Sequence, residues 1–252
     1  MIRFGLAILF LFLFLVLGSP LLVIEWIIGK FNPDIKSRSS LAIVNWAFRI
    51  VIRISGVRVI TIGQERIPTD TPVLYIGNHR SYFDVILTYV RVLRPTGYIA
   101  KIEMAKAPLL SNWMRNLHCL FLDRNDVKQG LKVILEAIEK VKNGISITVF
   151  PEGTRNRESE ELLPFHNGCF KIAEKSNIPI VPMSLVNTGA IWEDHLPWIK
   201  KACVVIEYCE PIYLDQLSKE DRKNLGKYVG DIIIETYRKN KEQYATELYG
   251  RK

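Results

Sequence analysis

Apolar residues fill positions 4–28 (FGLAILFLFLFLVLGSPLLVIEWII), where Glu25 is the only strongly polar residue. At about 1.5 Å per residue, a helix over this stretch could reach across a ~30 Å hydrocarbon core. Pro20 and Glu25 spoil a simple spanning helix. The first uninterrupted run, 4–17, has signal-peptide length with Arg3 before it. Gly18-Ser19 is followed by Pro20 and more apolar residues rather than a polar mature start, so a retained membrane segment is the better reading. Lys30, Lys36 and Arg38 follow it against Arg3 before it, which predicts a cell-membrane protein with most of the chain on the cytoplasmic side. Crossing the bilayer and turning within one leaflet both remain open. A second apolar stretch, 39–55 (SSLAIVNWAFRIVIRIS), sets Trp46 and Phe48 among aliphatics and puts Arg49 and Arg53 on one helical face. It reads as an interfacial helix whose arginines reach lipid head groups; a helix docked on the rest of the protein is the alternative.

After Gly56 the pattern shortens. Segments 57–62, 73–76, 98–100, 119–122, 145–150, 180–185 and 204–208 read as strands. Between them, 127–142 has apolar residues at helical spacing, with Asp126 as N-cap and Gly144 as stop. A shorter helix is predicted over 167–175. A long charged amphipathic one is predicted over 218–248, opening on the capping pattern Ser218-x-x-Asp221. Strands alternating with helices predict an α/β fold, a largely parallel sheet flanked by helices, preceded by an N-terminal helical membrane anchor. The expected division is 1–56 for the anchoring helices and 57–252 for one catalytic domain.

Composition narrows the chemistry. The net charge of +8 favours anionic partners: nucleic acid, anionic lipid or phosphorylated substrates. Cys119, Cys169, Cys203 and Cys209 form no Cys-x-x-Cys pair, and no His/Cys cluster has zinc spacing, so reduced core cysteines and no metal are expected. No two of the 15 glycines lie two or five apart, which removes Gly-x-Gly-x-x-Gly and the P-loop; Gly-x-Ser-x-Gly is absent too.

The segment GNHRSYFD, 77–84, puts His79 five residues before Asp84, directly after a predicted strand. In a regular helix the two side chains would stand roughly 140° apart, so a contact requires His79 outside the helix and Asp84 within its first turns. Gly77-Asn78 is expected to supply a turn there. The carboxylate would then accept Nδ1–H and leave Nε2 as a base. Standing alone, His-x4-Asp is more readily a helix-capping histidine beside a solvated carboxylate, since such spacing is common by chance. VFPEGTRNRE, 149–158, follows another strand and offers Glu152, Gly153, Thr154 and Arg155, the last suited to bidentate phosphate contact. FLDR, 121–124, ends a third strand with Asp123 and Arg124, which could also be a surface ion pair. Three polar strand ends suggest one rim, where open α/β sheets bind ligands.

Taken in order, NHRSYFD, LFLDR, FPEGTR and IVPM resemble the four motifs of the glycerolipid acyltransferases, and among them most closely the bacterial 1-acylglycerol-3-phosphate acyltransferases. IAKIEMAKAP and LLPFHNGCFKIAEKSNIPIVP agree with the same family, over roughly residues 57–210. The resemblance implies His79 as catalytic base with Asp84 as its partner. It places Lys101, Arg124, Glu152, Gly153, Thr154 and Arg155 around a glycerol phosphate, with Pro182 shaping the acyl side. His166 departs from the family, where lysine is frequent, which puts in doubt a fixed positive charge at that position.

What the resemblance implies is acyl transfer from a thioester, acyl-CoA or acyl carrier protein, to the sn-2 hydroxyl of lysophosphatidic acid. Phosphatidic acid would result, with membrane lipid as surroundings, no nucleic acid and no cofactor beyond the co-substrate. With no nucleophile placed by a motif, direct transfer in a ternary complex is expected. The competing readings are a sibling acyltransferase using another lysolipid or glycerol 3-phosphate, a non-catalytic lipid-phosphate-binding membrane protein, and a phospholipid hydrolase.

Overall fold

The computed structural model describes residues 2–157, 159 and 161–250. Three helices come first: α1 (Ile2–Leu17), α2 (Ser19–Phe31) and α3 (Pro33–Ser55). The apolar stretch 4–28 is therefore not one helix. Pro20 sits in the first turn of α2, where its missing amide and fixed φ are tolerated, and the chain bends by 49° between α1 and α2. Among the described residues no single helix is long and apolar enough to cross a membrane, although the bent pair α1–α2 together could.

Seven strands follow, one at each predicted position: β1 (Arg58–Ile62), β2 (Leu74–Gly77), β3 (Thr96–Lys101), β4 (Leu120–Leu122), β5 (Ser146–Val149), β6 (Ile180–Val186) and β7 (Cys203–Tyr208). The helices between them are α4 (Tyr82–Tyr89), α5 (Leu110–Asn116), α6 (Val127–Lys142) and α7 (Lys171–Ser176). Residues 167–170, expected in the same helix as α7, form a separate 3₁₀ turn. The strands make one sheet in the order β1-β7-β6-β2-β5-β3-β4. Pairing is parallel from β6 to β4, while β7 runs antiparallel to β6 and β1 parallel to β7.

The predicted helix over 218–248 is broken into α8 (Lys219–Lys223), α9 (Leu225–Gln243) and α10 (Ala245–Tyr249). The breaks lie at Asn224 and Tyr244. Just past the first, Gly226 lies so close to the Asn167 side chain that a Cβ there would collide with it. After the second, α10 turns inward and buries Leu248 with Val186, Val205 and Tyr237.

Side chains alternate across the sheet as the two-residue strand period requires. Leu74, Ile76, Ile147 and Ile180 face α6, α7 and α9. Val73, Tyr75, Val181 and Met183 face the other way, onto Phe83 and Leu87 of α4, and onto Ala7 of α1 and Val51 of α3. The N-terminal helices thus share a core with the sheet. Ser37, Ser40, Val44, Ala47, Val51 and Ser55 form the buried stripe of α3, with Arg49 and Arg53 exposed on its outer side. The stripe is that of a helix docked on the protein, which corrects the purely interfacial reading of 39–55. Glu25 is likewise buried at 2% exposure, accepting hydrogen bonds from Ser39 Oγ and Ser40 Oγ, both at 2.9 Å. What reads in sequence as a break in an apolar span is a clasp between α2 and α3.

Candidate active site

The C-terminal ends of β2, β5, β3 and β4 lie side by side because these strands are parallel neighbours. The loops that follow carry His79, the 150–155 segment and Asp123-Arg124, and Lys101 is the last residue of β3. One rim therefore collects all three charged strand ends.

The loop after β2 is extended rather than turned. Gly77 is the last strand residue, and what it needs is room: a Cβ there would stand 3.2 Å from Leu185, Met183 and Phe150. Asn78 serves as a strand extension, since its Nδ2 donates to Leu185 O at 2.9 Å and its Oδ1 accepts from Leu185 N at 2.8 Å. This locks the chain just ahead of His79 to β6. Ser81 then caps α4, accepting from Phe83 N, and Asp84 falls at the third helical position.

The Asp84 side chain is fully buried, and its Oδ2 accepts three hydrogen bonds: from His79 Nδ1 at 2.8 Å, Arg80 N at 2.7 Å and Ser81 N at 2.8 Å. Two backbone amides and the helix N-terminus hold this carboxylate in place. Its contact with Nδ1 fixes that nitrogen as the protonated one and leaves Nε2 as the basic face of the ring. His79 stacks on Phe150 with ring centroids 4.3 Å apart, so the imidazole has little freedom to rotate.

Glu152 reaches the site differently. Its carboxylate is 5% exposed, with Oε1 accepting from His79 N at 2.7 Å and Oε2 from Leu163 N at 3.0 Å. Burial pushes its carboxyl above the usual range, against the pull of those two amides. Both oxygens are engaged with backbone, so Glu152 ties the His79 loop to the 151–163 segment. Gly153 has φ +70°, and a Cβ there would meet the His166 ring at 3.1 Å. Thr154 and His166 are exposed beside it.

Arg155 is held on two sides. Its Nη1 lies 3.3 Å from Glu193 Oε1, and its guanidinium carbon sits 3.6 Å over the Tyr82 ring. Glu193, whose side chain is 2% exposed, also accepts from Ser81 Oγ at 2.6 Å and Tyr82 N at 2.8 Å. It thereby joins Arg155 to the first turn of α4, next to Asp84. Sequence reasoning misses Glu193 because its partner Ser81 is 112 residues away and no local pattern marks it. Arg124 is exposed and lies beside Gly153, its Nε 3.7 Å from where a Cβ would be. Lys101, 57% exposed, pairs with Glu103 at 2.7 Å and holds that carboxyl below its usual range. Pro182 is buried inside β6 opposite Ile76. Among the described residues no group of three or more His, Cys, Asp and Glu side chains is placed to hold a metal ion.

The chain is similar to several known proteins. A 1-acyl-sn-glycerol-3-phosphate acyltransferase of Borreliella burgdorferi is 26% identical over 197 residues, 78% of each chain. The yeast Saccharomyces cerevisiae enzyme of that name is 30% identical over 184 residues, 72% of this chain and 60% of its own. A probable one from Mycoplasma genitalium is 28% identical, covering 84% of this chain and 81% of its own. The crystal structure of the 1-acyl-sn-glycerophosphate (LPA) acyltransferase from Thermotoga maritima superposes with a TM-score of 0.81 at 25% identity, over 95% of both chains. The model of the Acyltransferase family matches residues 58–186, from the start of β1 to the end of β6 and across every loop of the rim. With its motifs, six of the seven strands and the His79–Asp84 pair inside that match, this chain belongs to the acyltransferase family.

Proposed function

We propose that the protein transfers a fatty acyl group from a thioester to the sn-2 hydroxyl of 1-acyl-sn-glycerol 3-phosphate, yielding phosphatidic acid. The observation that carries this reading is the His79 Nδ1–Asp84 Oδ2 hydrogen bond at the C-terminal rim, which leaves Nε2 free to act as a base. The acceptor is the one used by the similar acyltransferases of Borreliella burgdorferi and Thermotoga maritima.

Nε2 takes the proton from the sn-2 hydroxyl as that oxygen attacks the thioester carbonyl. The C–S bond then breaks, and the proton on Nε2 passes to the departing thiolate. A positioned base of this kind contributes roughly 10²–10⁴-fold. Asp84 holds the ring in the required tautomer and stabilises the imidazolium. Arg124 and Lys101, exposed on the same rim, meet the acceptor phosphate together with whatever donors of Arg155 remain after Glu193. Glu152 and Gly153 shape the loop that presents them. The reaction uses a thioester co-substrate, acyl-CoA or acyl carrier protein, and no metal. The outward apolar face of α1 and α2 rests on the membrane, with the sheet domain in the cytoplasm.

The test is an assay of the purified full-length protein with labelled acyl-CoA and labelled acyl carrier protein against a panel of lysolipids and glycerol 3-phosphate. Phosphatidic acid from lysophosphatidic acid, unaffected by chelators, is expected. Product only from a different acceptor would assign a sibling activity. Free fatty acid released without acceptor would make the protein a hydrolase.

A further inference from the structure

At the opposite end of the sheet from His79, a cleft of about 510 Å³ opens between α3 and the N-terminal ends of β2 and β3. Arg38 and Arg49 of α3 and Arg94 before β3 reach into it, and Leu41, Ala42, Leu93 and Pro95 give it an apolar floor. Arg91 stands behind Arg49. Its own guanidinium donates to Thr61 Oγ1 at 2.9 Å and Leu87 O at 2.6 Å, and burial together with the Arg49 charge depresses its proton affinity. Among the described residues, none of these four arginines has a carboxylate within ion-pair distance; Arg94 donates only to the Thr69 carbonyl, at 2.7 Å. Arg38 and Arg49 are exposed and Arg91 and Arg94 half-buried, whereas elsewhere in this chain Arg66 pairs with Glu207 and Glu210 and Arg155 with Glu193. Like charges gathered without counter-charge cost free energy unless an anion completes them.

We propose that this cleft is a second phosphate-binding site, remote from the catalytic rim, which takes the phosphate of an anionic glycerolipid headgroup. Two features favour a lipid over free phosphate. The floor is apolar, with Leu93 47% exposed. Trp46, 56% exposed, stands one helical turn from Ala42 and Arg49 of the cleft and its ring lies 6.0 Å from Phe10 of α1, so the outward apolar surface of the N-terminal helices begins beside the cleft. Binding here orients the enzyme on an anionic surface independently of the acceptor in the active site.

Calorimetric titration of the full-length protein in nonionic detergent with dihexanoyl phosphatidylglycerol tests the proposal. This phosphodiester is neither acceptor nor product of the reaction proposed above, so the measurement does not depend on that activity. The wild type should bind it and should bind dihexanoyl phosphatidylcholine at least tenfold more weakly. Arg49→Ala/Arg94→Ala should lose roughly tenfold or more in affinity, as expected for removing charge-assisted contacts, while basal turnover in neutral detergent stays unchanged. Arg49→Lys/Arg94→Lys, which keeps the charge, should recover part of the loss and guards against a folding defect in the alanine variant. Equal binding of the two lipids, or affinity indifferent to the alanine pair, would overturn the site. Inorganic phosphate binding as tightly as phosphatidylglycerol, with the same sensitivity to Arg49 and Arg94, would overturn the lipid assignment in favour of the free anion.

Discussion

The rim after β2 and β5 and the clasp between α2 and α3 both bury a carboxylate, and they use it differently. At the rim, Asp84 and Glu152 accept from backbone amides and hold His79 from two directions, through its ring and through its own N–H. At the clasp, Glu25 accepts from two serine hydroxyls and joins helices whose outer surfaces are apolar, with Phe12 and Trp26 each 60% exposed. Backbone donors cannot turn away, whereas hydroxyls can rotate. The first arrangement fixes one side chain for chemistry; the second keeps two helices together while their hydrophobic faces stay outward. Rigidity is concentrated where a proton must be transferred, and apolar surface is left where a lipid phase can cover it.

The largest effect should come from breaking the rim at its base. His79→Ala is expected to lower turnover by about 10²-fold or more with little change in lysophosphatidate affinity, and Asp84→Asn should follow in direction because it favours the wrong tautomer. Steady-state kinetics with the acceptor varied at saturating thioester decide this; unchanged turnover with a raised KM would make His79 a binding residue.

Glu152→Gln should come next. One oxygen remains as acceptor, but an amide must point a donor at a backbone N–H, and each hydrogen bond to a charged group is worth about 1.5–3 kcal/mol. Thermal unfolding should show a lower Tm alongside reduced turnover. Because burial raises the Glu152 carboxyl, the folded protein holds a proton that the unfolded chain has already released. This group's contribution therefore falls as pH rises from the ordinary carboxylate range through the raised value, and the glutamine variant should lack that slope.

The clasp side can be sharpened through His118, which contacts Ser37 Oγ of α3 at 2.8 Å through Nε2. Burial lowers its pKa from 6.5 to about 4, helped by the charges of Lys140 and Lys36. Below about 6.5 the unfolded chain takes up a proton that the folded protein refuses until about 4, so stability is full above this window and falls as pH drops through it. Denaturant unfolding at several pH values should show that loss, and His118→Asn should flatten it. A wild-type curve without slope there would remove His118 from the docking of α3.

The smallest change in stability should come from Phe12→Ser and Trp26→Ser, within about 0.5 kcal/mol, since neither ring is buried. Their effect belongs to vesicle sedimentation, where the double variant should partition less into neutral bilayers. Undiminished partition would assign the contact to another face.

Much of this was readable in the chain. Period-two and helical apolar patterns mark all seven strands and the bounds of α6, because local burial demands leave a local trace. His79 outside the helix with Asp84 in its first turn also follows from spacing alone, since a five-residue interval cannot bring them together within one regular helix. Pro20 likewise foretells that 4–28 does not run as one rod.

What spacing cannot carry is the identity of partners far along the chain. The reversal of β7 against β6 and the use of Asn78 as an extension of the sheet at Leu185 are set by which elements meet in space. So is the recruitment of Glu193 to Ser81, Tyr82 and Arg155, and the turning of Glu25 inward onto Ser39 and Ser40. A buried carboxylate looks like any surface acid in sequence. Only the tertiary packing, which removes water and supplies donors from distant segments, decides that it must be satisfied and by whom.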